Sequence, residues 1–463
     1  MPSPIAPLPP ESSPGTGGFR DLTKYQWFVF SMAAMAWLFD CLDQQLFILA
    51  RNGAMKNLLP DSPDQVIRLY GGYATSIFVA GWATGGLIFG ALGDRIGRAR
   101  TLSMTVLMYS VCTGLSAFST GWIDFAIYRF ITGLGVGGVF GLAVALIADT
   151  LTSSSRPMAL GLLQALSAIG NITAGLISIG LSQLGAHKII DPALSWKYMF
   201  LIGAIPAFLC VFIQIQLKEP EKWVEAKKAS KTTGDKFGSY FDLFGNPRWR
   251  KNALLGMLLC VSGVVGLWGI GFFAPELVGS VIENSLAQRG LEPGEIKTQK
   301  DFWIGVNMIV LNLGAFFGMI GFARLAQAIG RRPAFLIAFA AAMGATYGYF
   351  RYFNGLSDLW MAPVLGFCQL SLFAGFAVYL PELFPLRLRS TGTSFCYNVG
   401  RFIAATGPMT LGQLQQYLAQ GAQTSADKLE AFRGACCWMS LIFVLGFVVV
   451  LFMPETKGKP LPE

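Results

Sequence analysis

Gly90-Ala-Leu-Gly-Asp94-Arg95-Ile-Gly97-Arg98-Ala-Arg100 lies between two long apolar runs, 71–92 and 101–119. Crossing a bilayer as a helix takes about 20 apolar residues, and each run comes close to that. A short block of charge and glycine between two such runs reads as a tight hairpin on one membrane face. The arginines alone would follow from the excess of bases in cytoplasmic loops. That rule accounts neither for Asp94 nor for the spacing of the glycines.

The rest of the chain agrees with a membrane setting. Of its 463 residues, 53% are hydrophobic and 13% charged, and the mean hydropathy is +0.52. Soluble domains carry about 25% charged residues, so this chain cannot cover a globular surface with polar groups. Its 54 glycines suit helices that approach closely in lipid. The net charge of +9 does not point to nucleic acid, because the bases fall between apolar runs rather than on one polar face. The eight cysteines, at 41, 112, 210, 260, 368, 396, 436 and 437, lie in expected helices without a Cys-x-x-Cys pair. Neither a disulfide framework nor a metal site is expected. The one histidine, His187, falls in an expected outer loop, so no histidine relay is expected inside the membrane.

Twelve apolar runs are present: 25–50, 71–92, 101–119, 122–149, 158–184, 196–217, 252–278, 301–323, 334–353, 358–382, 391–415 and 433–453. They are numbered here helix 1 to helix 12. With the amino terminus inside, the inner loops hold 22 Lys and Arg and the outer loops 9, which puts both termini in the cytoplasm. Residues 1–24, rich in Pro, Ser and Gly, are expected to be disordered. The expected domains are a six-helix bundle over 25–217, a cytoplasmic central loop over 218–251, a second six-helix bundle over 252–453 and a tail over 454–463.

The two bundles are repeats. Gly97-Arg98 matches Gly330-Arg331 and Arg156 matches Arg389, both at an offset of 233. Gly141-Leu-Ala-Val matches Gly375-Phe-Ala-Val, and Pro220-Glu221 matches Pro454-Glu455, both at 234. Four pairs at nearly one offset indicate duplication.

Gly90, Asp94-Arg95, Gly97-Arg98 and Arg100 together resemble the signature loop joining helices 2 and 3 of major facilitator superfamily transporters. The resemblance extends over about 20–460. It implies an all-α membrane protein with twelve transmembrane helices in two six-helix pseudo-repeats, and a binding site between the halves. Arg129-Phe-Ile-Thr-Gly133-Leu-Gly135-Val-Gly137-Gly138 resembles the helix 4 motif, whose Arg is associated with proton coupling. Asp149…Arg156 and Pro381-Glu382-Leu-Phe-Pro385…Arg389 resemble the Glu-x-x-Pro…Arg elements of the sugar-porter and organic-ion branches. There such carboxylates pair with the basic loops and lock the outward-facing state. The resemblance therefore assigns gating to Asp94, Arg95, Arg98, Asp149, Arg156, Arg331, Glu382 and Arg389. Asp94 is expected to pair with nearby bases or to cap helix 3. Gln327 stands where the repeat would place an acid, so the second copy of the latch is expected to be weaker.

Ionisable groups at bilayer depth are expensive and need a reason. Asp40 and Asp43, three residues apart, share one face of helix 1. They are expected about 10–15 Å from its outer end. Two desolvated carboxylates this close resist ionising together, so one of them can load and release a proton. Arg129 is their candidate partner. Arg401 sits about 15 Å into helix 11 with no acid at its depth in helices 8 to 12. It either takes an anionic ligand in a two-pronged grip or pairs with a carboxylate such as Asp40 across the cavity. Tyr73, Gln164, Asn171, Trp268, Asn307, Gln369, Tyr397 and Asn398 are the candidate lining of the substrate cavity.

There is no phosphate-binding Gly-rich loop followed by Lys-Ser/Thr, so ATP is not the energy source. Gly133-Leu-Gly135 lies inside an apolar helix rather than after a strand, and no enzyme, cofactor or metal is expected. Helix 5 lacks the Gly-Pro signature of drug antiporters. The helix 1 acids and the helix 10–11 segment resemble the acid:proton symporters of the aromatic-acid, muconate and sialate type. The expected function is proton-coupled uptake of a small organic anion by a monomer in the cytoplasmic membrane. A sugar or polyol porter, suggested by Lys218-Glu-Pro-Glu-Lys-Trp223 and Pro454-Glu-Thr-Lys-Gly458, and a transport-dead sensor on the same fold remain open alternatives.

Overall fold

The computed structural model describes residues 22–214, 216–234, 236–288, 292–404, 406–420 and 424–462. Most of the amino-terminal stretch expected to be disordered, 1–21, lies outside the described residues. Among the described residues there are helices and no strand.

The first half contains helix 1 (Lys24–Leu58), helix 2 (Asp64–Ile96), helix 3 (Arg98–Ser116), helix 4 (Trp122–Thr150), helix 5 (Arg156–Ala186) and helix 6 (Ser195–Gln214). In the second, helix 7 is broken. Pro247–Val265 passes through a π turn, Gly266–Ile270, and a 3-10 turn, Gly271–Phe273, into Ala274–Gln288. Then come helix 8 (Pro293–Ile329), helix 9 (Arg331–Tyr352), helix 10 (Met361–Tyr379, tightened over Leu380–Leu383), helix 11 (Arg389–Ala404 and Gly407–Leu418) and helix 12 (Ser425–Met439 and Ile442–Phe452). Among the described residues, nine helical segments are long and apolar enough to cross a membrane on those grounds alone.

Local chemistry sets the boundaries. Thr23 caps helix 1 in a box with Gln26. Helix 1 outruns its apolar run, and in the added turns Arg51 donates to Thr75 of helix 2 at 2.7 Å. Asp43 is therefore about 22 Å from the outer end and Asp40 about 27 Å, at 1.5 Å per residue. Both lie at mid-helix, deeper than the sequence estimate. Gly97 (φ 119°) and Gly330 (φ 105°) end helices 2 and 8 in the same left-handed turn, a backbone that favours glycine.

Within the halves, small residues bring backbones together. A side chain at Gly133 would meet the Phe78 carbonyl of helix 2, and one at Gly366 the Leu311 carbonyl of helix 8. Between the halves, helix 2 packs on helix 11 and helix 5 on helices 8 and 10. The central connection is not an open loop. It forms Glu221–Thr233 and Tyr240–Gly245 and touches both halves. Tyr240 donates to the Leu87 carbonyl at 2.7 Å, whereas Asp242 pairs with Arg387 at 2.8 Å.

Candidate functional site

The centre lies where helices 1, 2, 4, 7 and 11 meet. Arg401 is 7% exposed. Its guanidinium carbon stands 3.5 Å from the Trp82 ring centre and 4.2 Å from that of Tyr397. Tyr397 stacks on Phe140 of the other half, centroids 3.8 Å apart, and Phe140 touches Trp37 at 5.2 Å. Trp82 meets Trp268 edge-on at 6.3 Å, inside the π turn of helix 7. The rings hold the guanidinium from its faces, a cation–π arrangement, and leave its edges for hydrogen bonding. Arg401 Nε and Nη1, the Trp37 and Trp82 Nε1 atoms, and both Asp40 oxygens are buried without a hydrogen-bond partner. Buried polar groups are normally satisfied, so this cluster of unmet donors and acceptors is the candidate binding site.

Asp43 and Arg129 form a second pair, fully buried. Asp43 accepts from Thr113 Oγ1 at 2.7 Å and faces Arg129 at 4.0 Å. Arg129 also donates to Ser116 (2.7 Å) and Thr132 (3.1 Å) and lies 4.6 Å from the Phe200 ring centre. All of these partners belong to the first half.

The remaining candidates for the cavity lining are mostly held elsewhere. Gln369 donates to the Gly266 carbonyl, which also accepts from Gly271 N–H within the π turn, and to Thr346, so it braces helix 7. Asn307 accepts from Tyr349 within the second half. Asn171 donates to Asn312 across the halves at 3.1 Å. Asn398 bonds the Ser394 carbonyl and is pressed against Gly86. Tyr73 is 48% exposed against Tyr70, toward the outer end of helix 2. Gln164 is buried, with its Oε1 unpartnered.

At the end expected to face the cytoplasm, four of the residues expected to gate, Asp94, Arg98, Asp149 and Arg389, form one network. Arg98 pairs with Asp94 at 3.1 Å and Asp149 at 3.2 Å, and donates to the Leu386 carbonyl of the other half at 2.6 Å. Arg389 crosses to Asp149. Asp94 accepts from the Ser390 and Thr391 backbone N–H groups (3.2 and 2.8 Å) and from Thr391 Oγ1 (2.7 Å). These donors are unmet groups of the first turn of helix 11. Asp94 thus caps helix 11 of the opposite half, not helix 3, because the turn at Gly97 points the helix 3 terminus away. Glu219 caps helix 3 instead, through Ala99 and Arg100, as Glu455 caps helix 9 through Arg331 and Arg332. The working counterpart of Glu455 is therefore Glu219, not Glu221.

The second copy of the latch is incomplete. Arg331 takes Glu382 in two bonds, 2.7 and 3.0 Å, whereas Arg98 meets Asp149 in a single ion-pair contact at 3.2 Å. But Arg156 donates only to Leu151 of its own half, and Glu382 is occupied by Arg331 and Thr456. Gln327 reaches the Ser154 carbonyl at 3.0 Å, a single neutral bond where Asp94 has three. Arg95 is exposed and makes no ion pair among the described residues.

Sequence reasoning missed Trp37, Trp82 and Phe140. Trp37 could have been found one turn before Asp40. Trp82 could have been found at the head of the stripe Trp82, Gly86, Gly90 that faces helix 11.

The family model of the Major Facilitator Superfamily matches residues 54–408. The cis,cis-muconate transport protein of Acinetobacter baylyi is 27% identical, over 94% of this chain and 97% of its own. The sialic acid transporter NanX of Escherichia coli is also 27% identical, over 72% of this chain and 74% of its own. Other relatives bear the names of niacin and benzoate transporters. Among solved structures, a proton:xylose symporter, XylE, superposes with a TM-score of 0.71 at 18% identity, covering 94% of this chain and 98% of its own, a likeness of fold. These relatives are transporters and not enzymes, and the chain belongs to the Major Facilitator Superfamily as a multi-pass membrane protein.

Proposed function

We propose that the protein is a proton-coupled symporter of a small organic anion, working by alternating access as a monomer in the cytoplasmic membrane with both termini inside. The observation that carries this reading is Arg401. It is a buried cation with two unpartnered donors, fixed face-on against Trp82, and no acid pairs with it among the described residues. A guanidinium held by its face presents its edge to a carboxylate in the plane parallel to the ring. A flat, conjugated acid would lie in the same slot. Muconate, niacin, benzoate and sialic acid, which relatives are named for, all carry a carboxylate. A neutral sugar requires no such cation.

The test is Arg401→Lys with matched ligands. An ammonium lacks the planar fork, and losing a charged hydrogen bond costs about 1.5–3 kcal/mol. Affinity for the transported acid should fall roughly tenfold or more at equal expression. The amide or ester of that acid should bind wild type about as weakly as the acid binds the variant. Normal transport of a neutral sugar by Arg401→Lys would replace this reading with a sugar porter.

A further inference from the structure

The two buried acids of helix 1 are treated differently by the fold. Asp43 is answered within its own half by Thr113 and Arg129. Asp40 is not. Both of its oxygens are buried without a partner, and the cation whose field reaches it is Arg401 of the other half. Arg401 in turn has two unmet donors. The pair stops short of contact, with no ion pair between them within 4.0 Å. The other titratable groups facing them are Asp43 and Cys41 on helix 1, Tyr397 on helix 11 and Cys260 on helix 7. Only Asp43 among these is a carboxyl, and Arg129 offsets it.

We propose that Asp40 and the substrate carboxylate compete for Arg401, so that each anion is carried only with the proton that neutralises Asp40. This rests on the organic-anion reading above and adds to it the identity of the coupling group and the stoichiometry. The argument is a count of charge. With the site empty and Asp40 ionised, Asp40 and Arg401 sum to zero. A bound monoanion makes the sum negative unless one proton from water joins an Asp40 oxygen. A proton without the anion leaves Arg401 uncompensated. Unbalanced charge is heavily penalised in a buried site, so two forms are fit to move between faces: empty with Asp40 ionised, and loaded with Asp40 protonated. One proton then accompanies each monoanion and no net charge crosses. Trp82 keeps the guanidinium in place while one carboxylate replaces another.

The experiment measures ligand-induced rises in melting temperature of the purified full chain with benzoate, nicotinate and cis,cis-muconate. It spans about pH 6 to 8, where carboxylates of ordinary strength are ionised. For wild type, the affinity for the two monoanions should fall by up to about tenfold per pH unit, as binding linked to one proton requires. In Asp40→Asn the slope should vanish, while Asp43→Asn should keep it whatever its absolute affinity. In liposomes, a potassium diffusion potential should leave wild-type monoanion uptake unchanged. A pH-dependent slope surviving in Asp40→Asn, its loss in Asp43→Asn alone, or uptake driven by the potential would overturn the proposal. Should Asp40→Asn fail to fold, the Asp43→Asn slope and the potential test still decide. Binding without any slope in wild type sinks the proposal and leaves the anion reading standing. If none of the three acids binds wild type, both fall.

Discussion

Replacing Asp94 by Asn should loosen the inner end without touching the binding site. Four buried charges meet there, Asp94, Asp149, Arg98 and Arg389, and they sum to zero. The amide removes one negative charge and leaves a positive one uncompensated. It also turns one of the two oxygens that accept from helix 11 into a donor. Breaking a buried pair from one side costs about 3–5 kcal/mol. Part of this is recovered in the variant, since an Asn oxygen still accepts from Thr391 or Ser390. A net loss of about 3 kcal/mol for the inner-closed state is a shift of more than a hundredfold toward inner-open. Spin labels at exposed Arg100 and Ile329, which lie on opposite halves at the inner face, would report it. Wild type should give a single short distance and Asp94→Asn a dominant longer one. Transport should slow while affinity at the centre changes little, because the variant alters the balance of states rather than the site. A large loss of affinity with normal turnover and an unchanged distance distribution would refute this reasoning.

Three further outcomes follow from the geometry. Trp82→Ala removes the ring against Arg401, and a desolvated cation–π contact of about 2 kcal/mol should cost roughly thirtyfold in acid affinity, measured by competition, with the fold intact by circular dichroism. Gln327→Asp should complete the weak copy of the latch by offering a carboxylate to the start of helix 5, slowing turnover with the short label distance kept; faster turnover would count against the asymmetry described. Burial works against ionising Glu455, but backbone N–H groups of Arg331, Lys457, Arg332 and Thr456 outweigh it and hold its pKa below the ordinary 4.5. The stability this gives is complete above about pH 4.5 and lost as pH falls through the lower folded value. Glu455→Gln should therefore melt lower than wild type at pH 7, and the gap should close in acid.

Much of this was legible from the chain because hydropathy and charge act locally. The twelve runs, Arg401 and the Asp43–Arg129 partnership follow from what lipid forbids. The sequence misjudged what depends on contacts distant along the chain. Asp94 looked like a cap for the helix that follows it, yet its partners are nearly 300 residues away. Gln369 looked like a cavity wall, yet its amide is bonded to Thr346 and to the Gly266 carbonyl at the π turn, which the sequence gives no sign of. Glu219 was passed over because the Pro-Glu match was aligned by identity rather than by which carboxylate reaches a helix terminus. Trp82 was invisible because its value lies in the cation above it, supplied by the other repeat.

Helix 1 runs unbroken for 35 residues, whereas helix 7, which starts the second half, is interrupted at Gly266–Ile270 and again at Gly271–Phe273. A duplicated scaffold has thus acquired unequal stiffness. Irregular turns are where a helix bends at little cost, so we expect Ala274–Gln288 to swing as a short lever. The opposite end, although helix 10 tightens there over Leu380–Leu383, is held by an ion pair and a cap that join the two bundles. Under the alternating access proposed above, entry and exit would then be mechanically different events: a flexing of one segment at one end, and a parting of two bundles at the other.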